Sequence, residues 1–577
     1  MMWSIVRIKK TFNFIGVMLL VFLIAGCASK PTGPEPDGPD PSIAEVTPST
    51  GTVGTELAIS GSNFRQGVSV HIGTFAADNV EIGNGTVVYA FVPAGVDSGV
   101  TYDVTVTNTD GTEVRREAAF TVIGPAIRYV NGATKPSGNH GSTVIVEGNA
   151  FGDVQGDGAV LFSDGNGGTI TGEISAPDDW TDTFIVTRVP SGAETGNIVV
   201  VNSTGQSNSL PFIVTETATF SPSVINWTQT TELPEGLSGH SAVFLPVASQ
   251  NGDTENYVHV AGGAGNANEP VSDVYYTAIQ PTGQLGSWQT VSSLPGPRAF
   301  HTSVVASPFN SRVSNDGHIY ILGGIGELDG QPVSTVYRAP VQSDGSIGGW
   351  STARSLPQPL HSTGAVIFRS WLYVAGGATN DNEPVSSVYR ARIDSLGQIG
   401  EWEELAPLAS PRAYHRFSSF GGYLYAVAGD NNAIDPNDGN YTNNDSKLRE
   451  VVYARINLRT GELTEAGWQV NSEEMSKRTS KHSALVAGGN FLVTAGLYSG
   501  AHTGSSENSY AQINSDGSVG TFNGATGSNT ISSQGGGNLF NHAAISYVDA
   551  DGVARVMVIG GDDVNNNGNK RSTVWYY

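Results

Sequence analysis

Two five-residue motifs place a guanidinium, an aromatic ring and an imidazole at the same spacing, "PRAFH" at 297–301 and "PRAYH" at 411–415. A third basic stretch, "SKRTSKH" at 476–482, adds further cations. Such groups donate hydrogen bonds beside apolar ring faces, a combination that suits a ligand rich in hydroxyl groups. The candidate ligand-binding residues here are Arg298, His301, Arg412 and His415, beside the cations Arg478 and Lys481 and the aromatic Phe300, Tyr414 and Phe540.

Complementary acceptors occur in loops rich in Asn and acidic residues, among them "TNDNEP" at 379–384 and "DNNAIDPNDGNYTNND" at 430–445. Carboxylates and amides there would accept hydrogen bonds from sugar hydroxyls. The candidates are Asp381, Asn382, Asp430 and Asn432. The alternative is that the arginines and histidines tie neighbouring structural repeats together.

One loop has the spacing of a metal site. "DVNNNG" at 563–568 offers oxygen ligands at Asp563, Asn565 and Asn567, as in the first half of an EF-hand loop. The twelfth position is Val574 instead of Glu, so a calcium ion would need another acid, such as Asp562. The alternative is a solvated polar turn, and we expect no required cofactor.

The elements that would position these side chains form a repeat. Apolar runs ending in glycine recur, as in "YVHVAGGAG" at 257–265 and "VMVIGGDD" at 556–563, each preceded by a histidine. Four short strand signals per unit indicate the blade of a propeller. The chain ends on a third strand, so we expect "INWTQT" at 225–230 to complete the last blade. The six histidines are His240, His301, His361, His415, His482 and His542.

The double glycine, the tyrosine after it and the tryptophan of the fourth strand resemble the kelch repeat over 222–577. The resemblance weakens where the glycine pair becomes Ala428-Gly429 and Ala495-Gly496. It implies a six-bladed kelch-like β-propeller. In such a propeller the loops named above emerge on one rim of the central channel.

Two classes of kelch-like or six-bladed enzyme need residues that this sequence lacks. A galactose-oxidase-like enzyme needs a crosslinked cysteine at its copper site, but the one cysteine here is Cys27. A sialidase-like hairpin needs a residue between the Asp and Gly that adjoin in "SDGSIGGW" at 343–350. Sialic-acid mutarotases resemble this propeller and remain the enzymatic alternative. We otherwise expect no catalytic residues.

Two shorter repeats precede the propeller. "IAEVTPSTGTVGTELAISGSNF" at 43–64 and "IRYVNGATKPSGNHGSTVIVEGNAF" at 127–151 share a strand, a turn and a strand that closes on Gly-x-x-Phe. They resemble IPT/TIG domains, which are immunoglobulin-like sandwiches, over 43–123 and 125–215. The expected fold class is therefore all-β, with two sandwiches followed by the propeller.

The first residues of the chain predict its cellular location. Basic residues precede an apolar run over 14–26 that is too short to span a bilayer and is typical of a secretory signal. "LIAGC" resembles a lipoprotein signal, which implies a signal peptide over 1–26 and lipidation of Cys27. The Pro/Gly-rich stretch over 27–42 predicts a flexible tether. Because residue 28 is Ala, the resemblance favours the outer membrane, with the protein facing the surface or the periplasm.

The net charge of the chain limits the classes of partner that it is expected to bind. Lys and Arg number 29 against 53 Asp and Glu, a formal net charge of −24. Such a chain repels phosphate backbones, so nucleic acid is not an expected partner. We expect a non-catalytic lipoprotein that binds an extracellular carbohydrate through the propeller rim and touches the membrane only through its anchor. The alternative is a protein-binding or adhesion component of a surface complex.

Overall fold

The computed structural model describes residues 39–577 with internal gaps. These gaps are 53–54, 94–95, 97–98, 131–135, 139, 142, 176, 215–221, 249–253, 308–316, 327–329, 369, 395, 432–445, 458–459, 499–503, 515, 530, 532–538, 550–552 and 564–569. Apart from one short 3-10 helix (Pro177–Asp179), every regular element in the described residues is a strand. The all-β prediction is confirmed. No helix in this part of the chain is long and apolar enough to cross a membrane, and the signal, Cys27 and the tether up to residue 38 lie outside it.

The first sandwich packs a four-stranded sheet, β1-β3-β7-β6, against a five-stranded sheet, β2-β9-β8-β4-β5. Their inward side chains form one core. The strands are β1 (Ser42–Thr47), β2 (Thr50–Gly51), β3 (Glu56–Ser62), β4 (Ser69–Ile72), β5 (Phe75–Ala76), β6 (Asp78–Asn84), β7 (Val87–Phe91), β8 (Thr101–Thr107) and β9 (Glu113–Val122).

The second sandwich repeats this plan with sheets β10-β12-β16-β15 and β11-β19-β17-β13-β14, while β18 pairs with β17. It has its own core. The strands are β10 (Ala126–Val130), β11 (Ser137–Gly138), β12 (Thr143–Asn149), β13 (Ala159–Ser163), β14 (Thr169–Thr171), β15 (Trp180–Thr181), β16 (Phe184–Arg188), β17 (Gly196–Asn202), β18 (Gly205–Gln206) and β19 (Leu210–Val214).

The repeated Gly-x-x-Phe has the same role in both sandwiches. Gly61 lies against the carbonyl of Ser42, and a Cβ there would also meet the Phe64 ring at 2.7 Å. Gly148 meets the carbonyl of Ala126 in the same way, with the Phe151 ring 2.5 Å from its Cβ position. Any larger residue would push the first strand off the sheet, so these glycines serve strand packing.

From Val224 onward the described residues form five four-stranded antiparallel sheets and one seven-stranded sheet, beside a two-stranded parallel sheet. Blades 1 to 4 are β22–β25, β26–β29, β30–β33 and β34–β37. Blade 5 contains β39–β42, and blade 6 contains β45, β46, β48 and β21. The innermost strands contact one another in cyclic order, ending with β45 against β22, so the sheets form a ring.

In each blade the outermost strand is more exposed than the strands inside it. They are β20 (Val224–Asn226), β21 (Thr228–Gln229), β22 (Ser241–Ala248), β23 (Thr254–Ala261), β24 (Val274–Ala278), β25 (Gln289–Thr290), β26 (Thr302–Ala306), β27 (His318–Leu322), β28 (Val336–Pro340), β29 (Ser351–Ala353), β30 (Gly364–Phe368), β31 (Trp371–Ala375), β32 (Val388–Ile393), β33 (Ile399–Leu405), β34 (Arg416–Phe420), β35 (Tyr423–Val427), β36 (Val451–Arg455), β37 (Gln469–Val470), β38 (Thr479–Ser480), β39 (Ser483–Ala487), β40 (Asn490–Tyr498), β41 (Gly504–Gln512), β42 (Asn523–Gly524), β43 (Thr526–Asn529), β44 (Leu539–Phe540), β45 (Ala543–Val548), β46 (Ala554–Ile559), β47 (Asp562–Asp563) and β48 (Val574–Tyr576).

The ring is closed by its own first residues. Thr228 and Gln229 pair antiparallel with the C-terminal strand β48, and the preceding β20 runs parallel to β43. Between them Trp227 is buried, with 1% of its surface exposed, in a core shared with blades 5 and 6. The structure therefore has the closure expected for "INWTQT".

Neighbouring blades are joined by repeated side-chain hydrogen bonds. The Nε1 of Trp350 donates to the carbonyl of Ser292 at 2.8 Å, and that of Trp402 donates to Ser355 at 2.7 Å. At the hairpins, the hydroxyl of Tyr320 donates to the Gly397 carbonyl of the next blade at 2.7 Å. These contacts explain why Trp and Tyr recur at these positions in several of the repeats.

The second sandwich docks on blades 3 and 4. Phe184 packs edge to face on Phe368, with 5.6 Å between ring centroids. Asp179, which is nearly buried, accepts a hydrogen bond from Arg455 of blade 4 at 2.6 Å. A shared apolar cluster and this ion pair hold the sandwich against the outside of the ring.

Candidate functional site: the axial mouth

Six residues with left-handed backbone form a closed hydrogen-bonded ring around the propeller axis, which we call the axial girdle. Each backbone N–H donates to the carbonyl of the equivalent residue in the preceding blade, over N···O distances of 2.7 to 3.2 Å. Their φ angles lie between 52° and 59°. The girdle residues are Gly239, Phe300, Ser362, Tyr414, Lys481 and Asn541.

The residue after each girdle position packs between blades, and here the structure corrects the sequence alignment. In blade 3 this residue is Thr363, because His361 lies two positions earlier, before the girdle residue Ser362. Spacing by residue type had therefore aligned His361 with the wrong partners. The residues in this second layer are His240, His301, Thr363, His415, His482 and His542.

The second-layer histidines are buried and neutral. Burial lowers the pKa of His240 to about 4, and the pKa values of His301 and His482 to about 3. Burial also holds the pKa of His415 and His542 well below the usual range. A Cβ on Gly262, Gly376 or Gly560 would come within 3 Å of the Cε1 of the next blade's histidine. The first glycine of the pair therefore makes room for the imidazole.

Two girdle residues carry aromatic side chains that contact each other. The rings of Phe300 and Tyr414 meet edge to face with 5.9 Å between centroids, although they belong to blades 2 and 4. Phe300 also crosses Gly239, where a Cβ would come within 2.8 Å of its ring. Phe300 remains partly exposed. The pair forms an apolar floor at the centre of the mouth.

A buried lysine stands beside this floor. The Nζ of Lys481 lies 4.8 Å from the centroid of the Tyr414 ring. Burial lowers the pKa of Lys481 to about 8, against the opposing attraction of Asp430 and Asp562 and in line with the repulsion of Lys447 and Lys570. Its ammonium therefore loses a proton more readily than an exposed lysine.

The two halves of the mouth differ in polarity. At one repeated position, in the loop after the second strand, blades 1 to 3 have Ala264, Ile325 and Ala378, each bridged to a proline. Blades 4 and 6 have Asp430 bridged to Lys447 and Asp562 bridged to Lys570. The mouth thus combines an apolar half with a half of alternating charges.

Further polar groups complete the charged half. Asp562 accepts hydrogen bonds from Asn541 at 2.9 Å and from the Ser238 hydroxyl, and it is paired with Lys570. On the opposite side, the Nε2 of His361 lies 3.1 Å from the Oδ1 of Asn382. Of the sequence candidates, Asn382 and Asp430 therefore reach the mouth.

The predicted arginine contacts are wrong in their placement. Arg412 is fully buried, is paired with Glu450 at 2.5 Å and donates to the carbonyls of Ala426 and Ala428. Arg298 is 5% exposed, stacks on Tyr337 and donates to its hydroxyl at 3.1 Å. Both guanidiniums brace the blades, as the alternative interpretation held.

The two histidine candidates are likewise packing residues. His301 is 7% exposed, and its Nε2 lies 2.7 Å from the hydroxyl of Ser241 in the neighbouring blade. His415 is 4% exposed and lies under Gly376 of the preceding blade. Neither imidazole is open to a ligand at the mouth.

The remaining candidates have different outcomes. Asp381 is exposed on its loop beside Asn382, whereas Asn432 lies outside the described residues. Of the calcium candidates, Asp563 is buried and paired with Arg571, while Asn565 and Asn567 lie outside the described residues. Within the described ranges, no group of three or more His, Cys, Asp or Glu side chains could hold a metal ion.

The sequence reasoning missed Lys447, Lys570 and the mouth role of Asp562. A signal existed, because prolines at 270, 332 and 384 occupy the position that lysine takes in blades 4 and 6. Aligning the repeats by these bridge partners would have found the charged half.

The comparisons with known proteins bear on parts of the chain. Residues 41–121 match the IPT/TIG domain family. The first sandwich is an IPT/TIG domain. The second sandwich shares its sheet order.

The other comparisons give weaker similarities. A stretch of 120 residues is 28% identical to Kelch-like protein 13 of Bos taurus and of Homo sapiens, which is 21% of this chain and 18% of each relative. The chain therefore aligns with less than a fifth of those relatives' length. The solved structure of YjhT aligns over 60% of this chain and 95% of its own, with 12% identity and a TM-score of 0.42.

Proposed function

We propose that this protein binds an extracellular carbohydrate at the axial mouth without transforming it. The observation that carries the proposal is the aromatic floor of Phe300 and Tyr414 between an apolar and a charged half of the mouth. A sugar has an apolar ring face and a rim of hydroxyls that both donate and accept, so it fits such a surface.

The proposal moves the contact surface from the one expected from sequence. The side chains proposed to contact the sugar are Phe300 and Asn382, which are partly exposed. The buried side chains of Tyr414, Asp430, Lys481 and Asp562 lie behind them and set the polarity of the surface. Asp381 is kept as a contact on the outer rim because it is exposed beside Asn382. Arg298, His301, Arg412 and His415 act only by holding the blades that carry these groups.

Glycan-array screening followed by calorimetric titration tests the proposal. Phe300→Ala removes a partly exposed ring, and we expect at least a tenfold loss of affinity for any glycan that the unaltered chain binds. Tyr89→Ala is the matched control, because Tyr89 is an exposed ring on the first sandwich. Glycan binding that survives Phe300→Ala would place the site elsewhere.

One observation favours a second candidate, the sugar mutarotase. Lys481, with its pKa lowered to about 8 beside two carboxylates, could exchange a proton with a sugar hydroxyl near neutral pH. Magnetisation-exchange NMR on a bound sugar tests this directly. Faster anomer exchange that disappears in Lys481→Met would make the protein an enzyme.

Absence of any glycan signal would favour the protein-binding alternative. A surface partner would then be sought with the whole chain, since the second sandwich is fixed to the propeller. We further propose an outer-membrane location through lipidation of Cys27, with the mouth facing the surface or the periplasm.

A further inference from the structure

Among the residues that the structure describes, one cation without an acidic partner lies along the axis below the girdle. Arg416 begins the inner strand of blade 4, directly after the second-layer His415. The other blades have small residues at this position, so Arg416 is the one long side chain there. The equivalent residues are Ser241, Thr302, Gly364, Ser483 and Ala543.

The guanidinium of Arg416 reaches across two blades. Its Nε donates to the carbonyl of His482 at 2.7 Å, and its Nη2 donates to the carbonyl of His542 at 2.9 Å and to the Ser483 hydroxyl at 3.1 Å. Its charge lowers the pKa of His240, His415, His482 and His542, so it lies near four histidines of the second layer.

No carboxylate in the described part of the chain pairs with Arg416. All three of its described acceptors are neutral oxygens, and its Nη1 has no hydrogen-bond acceptor among them. Burial lowers its pKa to about 10, with no acid opposing the shift. Yet Arg416 is only half-buried, so solvent reaches it within the ring. An interior cation without a counter-charge is costly, and an anion from solution would offset that cost.

We propose that Arg416 holds a small monovalent anion, a halide or a short carboxylate, in the axial channel beneath the girdle. The neutral histidines around it offer no competing negative charge. The site is separate from the sugar contacts above the girdle, so it stands whether or not a carbohydrate binds at the mouth.

Thermal unfolding of the full chain in detergent tests the site. Sodium chloride, sodium formate and sodium gluconate are compared at one ionic strength, with gluconate as the bulky reference anion. We expect the midpoint in chloride or formate to exceed that in gluconate by roughly 2 to 5 °C. A rise with chloride alone identifies a halide site, and a rise with formate identifies a carboxylate site.

Arg416→Gln should abolish this difference, whereas Arg392→Gln, which removes an exposed cation of blade 3, should preserve it. The same anion effect in Arg416→Gln, or equal midpoints in all three salts, would overturn the proposal. Should Arg416→Gln fail to fold, bromide-soaked crystals of the unaltered chain decide the matter. An anomalous peak at Arg416 supports the site, and peaks only on the surface would mean an adventitious ion only.

Discussion

At the scale of single residues, Arg412 shows how a side chain that suits a ligand can instead support the blades. Its pair with Glu450 is buried on the arginine side, and its other donors serve backbone carbonyls. Removing one partner of a buried pair leaves an uncompensated charge, so we expect Arg412→Ala to cost about 3–5 kcal/mol of stability.

Urea unfolding measures this loss, with Arg354→Ala as the control. Arg354 pairs with Glu401 at 2.8 Å, but both side chains are exposed, and such pairs contribute only about 0–1 kcal/mol. Equal losses in the two variants would show that Arg412 does not brace the blades.

Lys481 gives a pH dependence with a definite sign. Its pKa is about 8 in the folded chain, below the usual 10.5. Between these values the unfolded chain holds the proton and the folded chain releases it, so stability rises with pH. We expect Lys481 to contribute roughly 1–2 kcal/mol of added stability between pH 8 and 9.5. Urea unfolding at both pH values checks this, and an identical pH slope in Lys481→Met would contradict it.

The sequence correctly indicated several residues at the mouth, but it did not show which way the side chains next to them point. The motif "PRAFH" correctly drew attention to Phe300, yet the left-handed turn at that residue sends Arg298 and His301 between the blades. Residue type does not reveal a positive φ in Phe, Tyr or Lys, so this reversal could not be read from spacing.

At the scale of elements, the second-layer histidines make the ring sensitive to acid. The pKa values of His240, His301 and His482 lie at about 3 to 4, against 6.5 in an unfolded chain, and burial holds those of His415 and His542 well below the usual range. Stability is therefore complete above pH 6.5 and is lost as pH falls toward 4, because only the unfolded chain takes up protons in that range.

His301→Thr tests this on one layer position, since Thr363 shows that the fold accepts threonine there. We expect the loss of stability between pH 6.5 and 4.5 to become shallower by about 1.4 kcal/mol per pH unit, the contribution of one proton. Urea midpoints across this range provide the measurement. An unchanged slope would mean that His301 is already charged in the folded protein.

Closure of the ring supplies the second prediction at this scale. Deleting 222–230 removes β20, β21 and the buried Trp227, which alone is worth about 3–5 kcal/mol. Calorimetry should show a large fall in the propeller transition, whereas deleting 28–36 from the tether should leave it in place. An unaffected transition after the first deletion would mean that the ring does not depend on this strand.

The repeats made the sheets predictable because glycine pairs and turn residues follow the strand order closely. The sequence was a poorer guide to which residues occupy equivalent positions in the different blades. His361 has the right residue type near the right place, but Thr363 occupies the layer, since the girdle is defined by backbone conformation. The charged bridges in blades 4 and 6 departed from the pattern and were missed for the same reason.

At the scale of the whole molecule, the proposed lipid anchor at Cys27 can be tested by substitution. Cys27→Ser should release the protein from the membrane fraction and abolish labelling with radioactive palmitate, because the Cys27 thiol is the group that we propose to be acylated. Fractionation of expressing bacteria measures both. A membrane-bound Cys27→Ser protein would refute the anchor.

The docking of the second sandwich was beyond the reach of the sequence. Asp179 and Arg455 are separated by 276 residues and lie in repeats of different kinds. Neither periodicity nor residue type links two such positions. The domain order could be predicted, but the contact between the domains required the structure.

That contact decides how the molecule would carry mechanical load. Tension between the N-terminal sandwiches and a ligand held at the mouth has two routes into the ring. One runs along the chain to the closing strand β21, which pairs with β48 over two residues at the seam of the ring. The other passes from Asp179 to Arg455 on blade 4, away from that seam. The docked sandwich would thus share the load with the closing strand, because part of the force enters the ring at blade 4.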